Sequence, residues 1–144
     1  MGRVINTNNP TSARNYSRRT IAEMLRLLSH KPAMDAEARD MAATLVYALR
    51  DIQANVQQSA EAWEKRGYWM KAERFLREWD WVKEMAYNLE DVLRYEAWDL
   101  LPELFVQVSS RVEDIEVTKT MRTAVTWNGA YARLLAEPPS PTPW

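Results

Sequence analysis

Residues 35–67, DAEARDMAATLVYALRDIQANVQQSAEAWEKRG, govern how the rest of the chain is read. Ala42, Leu45, Leu49, Ile52, Val56, Ser59 and Trp63 recur at alternating steps of three and four, the spacing of a seam along one side of a helix, with Ser59 its one polar member. Asp35 stands where an N-cap would, just after Pro32. Lys65 and Arg66 supply a basic last turn, and Gly67 is the residue best suited to a left-handed terminator. The spacing predicts a helix over about 36–66.

A second seam follows in KAERFLREWDWVKEMAYNLEDVL, residues 71–93, through Ala72, Phe75, Trp79, Val82, Ala86, Leu89 and Leu93. It is two residues out of phase with the first. Two residues turn a helix by about 200°, so one straight helix cannot keep both seams on the same side. A reversal at Gly67 resolves the conflict, and the pattern predicts a second helix over about 68–97 lying antiparallel on the first. The chain is thus read as an all-α bundle built on a long helical hairpin.

Around the hairpin the signals are shorter. Thr20 and Glu23 have the spacing of a capping box ahead of Ile21, Met24, Leu25 and Leu28, although Ser12 and Ser17 offer earlier starts, and SHKP ends this N-terminal helix. Asp99 can cap a short helix with Pro102 in its first turn, and Ser110 with Glu113 suggests another near 111–116. TKTMRTAVTW is β-rich by propensity, Asn128-Gly129 reads as a turn and AYARLLAE as a last helix. The expected organisation is a flexible basic arm over residues 1–12, one helical domain over 13–136 and a Pro-rich disordered tail over 137–144.

At 144 residues, with 47% hydrophobic and 27% charged side chains, the chain fits one globular domain. The absence of cysteine excludes disulfides, thiolate nucleophiles and cysteine-based metal sites. The opening MGRVINTNNP lacks an apolar core of signal-peptide kind, and runs such as AATLVYAL are far shorter than the roughly 20 residues that span a bilayer. A cytoplasmic protein with no membrane partner is therefore expected.

Net charge is only −1, but it is unevenly spread. Residues 1–31 carry six Lys/Arg against one Glu, +5; residues 32–116 carry ten against eighteen acids, −8; the remainder has three against one, +2. A basic arm precedes an acidic body. Such segregation suits either a polyanion partner for the arm or contact between copies of opposite charge.

Signals for chemistry are sparse. The single histidine, His30, lies in SHKP without the Glu three positions before it that a di-metal helical bundle needs. Carboxylates such as Glu61, Glu64, Glu73 and Asp80 sit beside Lys and Arg at helical spacing, as on solvated faces. No GxSxG, P-loop or GxGxxG is present among three isolated glycines. The reading is of a non-enzymatic protein with neither metal nor cofactor.

Two groups of residues invite a binding role instead. Arg3, Arg14, Arg18 and Arg19, with Tyr16 and no intervening acid, have the composition of a segment that displaces counterions from a phosphate backbone, against the bland reading of a solubilising end. Arg74, Arg77 and Trp81, joined by Met70, fall on the helix face opposite the second seam. They need either another helix to cover them or a partner, since Trp and Arg favour interface hot spots and also grip phosphate and stack on bases. DNA or RNA is the first expectation, and a second copy or another helical protein the alternative. The tail PPSPTPW has Pro-x-x-Pro spacing that aromatic grooves recognise, a pattern also common in disordered ends.

Overall fold

The computed structural model describes residues 9–144 and is all-α, with no strand among the described residues. Its principal helices are α1 (Pro10–Ser29), α2 (Ala36–Lys65), α3 (Trp69–Glu78), α4 (Trp81–Arg94) and α5 (Leu101–Arg111), followed by the short α6 (Ala124–Trp127) and α7 (Ala130–Ala136). Among the described residues no helix is long and apolar enough to cross a membrane.

The spine is α2. Asp35 caps it by accepting the Ala38 amide at 2.8 Å. Gly67 follows its end at φ +82°, a conformation that costs side-chain-bearing residues a clash between Cβ and backbone. Its buried residues include all but the last of the seam, Ala42 through Ser59, and also Met41, Val46 and Ala60 on either side of it. A helix buried over so wide an arc must be packed from more than one direction. α1 lies on one flank, where the Asn55 amide donates to the Pro10 carbonyl at 2.8 Å, and α3 and α4 lie on another. Trp63 meets Phe75, Arg50 meets Glu90 and Arg39 meets Trp98, so the chain after Gly67 runs opposite to α2. Ile21, Met24, Leu45, Leu49, Ile52, Val82, Leu89 and Leu93 form the centre of the core, all nearly inaccessible to solvent.

Four local expectations are corrected. The helix placed over 68–97 is two helices, broken at Trp79 and Asp80. In a straight helix Trp79 and Trp81 would point in nearly opposite directions, whereas the break brings their rings to 6.2 Å. α1 begins at Pro10 rather than at Thr20: Asn9 caps it by accepting the Ser12 amide at 3.1 Å, and proline occupies its first turn. The helix near 111–116 is absent, because Ser110 lies inside α5, and TKTMRTAVTW forms loop and α6 rather than a strand.

The segment from 112 to 144 is a strap, irregular outside α6 and α7, that is bound to the longer helices through backbone hydrogen bonds and through the buried Trp127, Ala130 and Leu134. Glu23, fully buried on α1, accepts the amides of Met121 and Arg122 at 2.6 and 2.8 Å. Asp40 on α2 accepts those of Gly129 and Tyr131 at 3.1 and 3.0 Å. Glu90 on α4 accepts the Ser140 amide at 3.1 Å. Residues 137–144, expected to be loose, thus have defined partners: Glu137 accepts from Tyr47 and Arg50, and Trp144 meets Tyr87 edge-on at 5.3 Å.

A candidate arginine and tryptophan interface

Where α1, α3, α4 and α5 converge, cations and aromatic rings alternate. Lys71, in the first turn of α3, places its ammonium 4.5 Å from the Trp63 ring centre. Trp63 meets Phe75 edge-on at 4.8 Å. The Arg14 guanidinium, reaching across from α1, lies 5.0 Å from Phe75 and 5.5 Å from Trp79. Trp79 approaches Trp81, and Arg111 at the end of α5 lies 4.9 Å from the Trp81 ring. Each cation faces the electron-rich side of a ring, an arrangement worth about 0.5–2 kcal/mol depending on desolvation.

The break between α3 and α4 makes this series continuous. Without it Trp79 and Trp81 would point apart; with it, Trp79 faces Arg14 of α1 and the neighbouring Trp81 faces Arg111 of α5. Phe75, Trp79 and Trp81 are half-buried, so each ring packs on the core and keeps part of its area at the surface. Beside them opens a pocket of about 380 Å³ lined by Arg14, Asn15, Arg18, Glu78, Trp79 and Arg111. It brings together three guanidinium groups, one indole and a single carboxylate.

The arginines differ in how far they are committed. Arg14 donates to the Asn55 side chain at 2.7 Å and has no carboxylate partner among the described residues. Burial lowers its pKa from the ordinary arginine value; Glu78 partly offsets this and the Arg18 charge adds to it. Arg18 is held in a fork by Asp114, at 2.6 and 3.1 Å, and donates to the Arg111 carbonyl at 3.0 Å, while its buried Nε has no acceptor. Arg111 is exposed.

The remaining sequence candidates are dispersed. Arg3 lies outside the described residues. Arg19 turns away from the pocket to Glu23 at 2.8 Å and to the Lys119 carbonyl at 2.8 Å. Arg74 is exposed, and Arg77 pairs with Glu73 at 2.6 Å on a solvated face. Trp81 lies at the end of the cation and ring series, half-buried, with Arg111 over its ring.

Sequence reasoning did not single out Trp79, Lys71 or Arg111 for this role. Trp79 was assigned to the core by its seam position, and Arg111 stands in the ordinary place of a basic helix end. Lys71 and Phe75 are four residues apart, a spacing that announces one shared face but not the partner across it. Among the described residues no group of three or more histidine, aspartate or glutamate side chains is gathered to hold a metal.

No protein-family model, curated protein or solved structure matches the chain.

Proposed function

We propose that the protein is a non-enzymatic nucleic-acid-binding protein, an architectural protein or small subunit of a nucleoprotein complex, whose interface is the cation and ring series running from Lys71 to Arg111. The observation that carries this reading is the Arg14 guanidinium set between Phe75 and Trp79 beside a pocket walled by Arg18 and Arg111. A guanidinium presents paired donors to phosphate oxygens, and a half-exposed indole offers a face to a base. Arg3 is retained in this reading as a further phosphate contact.

The acidic body limits binding to this edge and makes it depend on salt. Lys71→Glu and Arg111→Glu reverse an exposed charge at each end of the series and leave its packed middle intact. Together they are expected to weaken binding of a labelled oligonucleotide at least tenfold, with unchanged far-UV circular dichroism. Equal binding by the folded double variant refutes the interface.

A second reading, assembly with another helical protein or a second copy, is favoured by an open apolar groove of about 670 Å³ between the end of α1, residues 31–34 and α5, lined by Leu25, Leu28, Met34, Phe105 and Val106. The seams are mostly consumed inside the chain, and of their members only Trp63, Phe75 and Trp79 keep area at the surface. A concentration-dependent increase of mass in solution, without nucleic acid, would support assembly.

A further inference from the structure

Beyond the interface, the turn between α2 and α3 exposes three large side chains in sequence: Tyr68, 55% exposed, Trp69, 64%, and Met70, 74%. An indole left this open is unusual when the chain has a core to place it in. Four cations lie within five residues of Trp69 along the chain: Lys65, Arg66, Lys71 and Arg74. None is ion-paired among the described residues, whereas Arg18, Arg19, Arg50, Arg94 and Arg122 all are. Residues 65–71 contain no acid. The rings and the charge therefore coincide at one end of the molecule, on a turn that the core does not need.

This end adjoins the interface already described. Lys71 belongs to both, and α3 carries the chain from Trp69 to Trp79 over about 15 Å at 1.5 Å per residue. Along α3 Lys71 and Arg74 are the cations without a carboxylate partner among the described residues, Arg77 being paired with Glu73, and a ring stands at each end.

We infer that the ligand is single-stranded nucleic acid, with Tyr68 and Trp69 stacking on unpaired bases while Arg14 and Arg111 at the pocket receive the phosphate backbone. This rests on the nucleic-acid reading above. The preference for a single strand follows from the aromatic pair. A base face is available to an indole only when the base is unpaired or splayed out, and stacking of this kind accepts any base. A duplex reader needs instead a helix with base-reading side chains free to enter the major groove, or a broad field of phosphate contacts. Here Arg18, Arg19 and Arg26 of α1 are directed at the protein's own carbonyls and carboxylates, which leaves Arg14 as the one α1 arginine without such a partner among the described residues, and the acidic body repels a wide polyanion.

The test compares single-stranded and duplex oligonucleotides of the same sequence by fluorescence anisotropy, using the full chain and the variant Tyr68→Ala/Trp69→Ala. Both residues are exposed, so the variant is expected to fold. Wild type should bind the single strand at least tenfold more tightly than the duplex. The variant should lose about tenfold or more on the single strand and change less than twofold on the duplex. Equal affinity for the two forms, or a variant that binds the single strand as wild type does, overturns this inference and leaves the nucleic-acid reading standing. Failure of wild type to bind either form overturns both. Sedimentation with phosphatidylserine vesicles in the absence of any oligonucleotide binding would identify the exposed turn as a lipid contact and likewise overturn the inference.

Discussion

The hydrogen-bonded cluster around Glu90 makes the stability of the protein depend on acid in a way that can be worked from its geometry. The Glu90 side chain is almost wholly buried and accepts from Arg50 at 2.7 Å, Arg94 at 2.6 Å and the Ser140 amide at 3.1 Å. Burial alone would raise its pKa, but the hydrogen bonds from Ser140, Arg94 and Arg50 outweigh it and hold the group at about 2, against 4.5 for an ordinary glutamate. At about 1.4 kcal/mol per pH unit, the displacement corresponds to about 3 kcal/mol of folding free energy. The folded pKa is the lower of the two, so this contribution is fully present above pH 4.5 and is lost as pH falls towards 2.

Glu90→Gln removes the charge while keeping the shape. It leaves Arg50 with Glu137 and the Ser140 hydroxyl, and Arg94 with only the carbonyls of Leu134 and Pro138. At neutral pH the variant is expected to lose about 3 kcal/mol in urea unfolding, and its melting temperature to fall by about 6–12 °C for a chain of this size. The acid dependence of stability between pH 4.5 and 2 should flatten relative to wild type. A loss below about 1 kcal/mol, or an unchanged acid dependence, would refute the view that this carboxylate clamps α2, α4 and the C-terminal strap together.

Leu49→Ala, at the fully buried centre of α2, is expected to destabilise the fold by about 3 kcal/mol in the same unfolding assay. Gly67→Ala meets no atom within 4 Å, so only the positive φ opposes it; a loss of about 1 kcal/mol is expected. Glu78 is the single carboxylate lining the pocket, and Glu78→Gln should tighten oligonucleotide binding by about threefold at low salt, read by anisotropy.

The helical class was legible because long stretches lack glycine and proline and carry apolar residues at three and four. The break at Trp79 and Asp80 was not. Neither residue is a helix breaker, and the sequence holds no local sign that Arg14 and Arg111 would arrive from two other helices to face neighbouring indoles. The true start of α1 was present in the sequence as Asn9-Pro10, a cap followed by a first-turn proline. The Thr20 and Glu23 pair imitated a capping box because Glu23 has another task, binding amides about a hundred residues away. That kind of contact leaves no periodic trace, which is also why the strap from 112 onward resisted reading.

The site was legible by composition more than by direction. Four arginines marked the N-terminal region as basic, yet helical geometry sends Arg14 and Arg18, four apart, towards one pocket and Arg19 towards Glu23. Met70 was read onto the face opposite the second seam, and it is exposed together with Tyr68 and Trp69 at the turn after Gly67.

The central claim is that a polyanion binds along the series from Lys71 to Arg111, and a salt titration of oligonucleotide affinity tests it most directly. If about three phosphates are neutralised, the logarithm of the association constant should fall with the logarithm of salt concentration at a slope near −2 for a single strand. Lys71→Glu/Arg111→Glu should flatten that slope as well as weaken binding. A slope near zero, or one that the charge reversals leave unchanged, would contradict the claim.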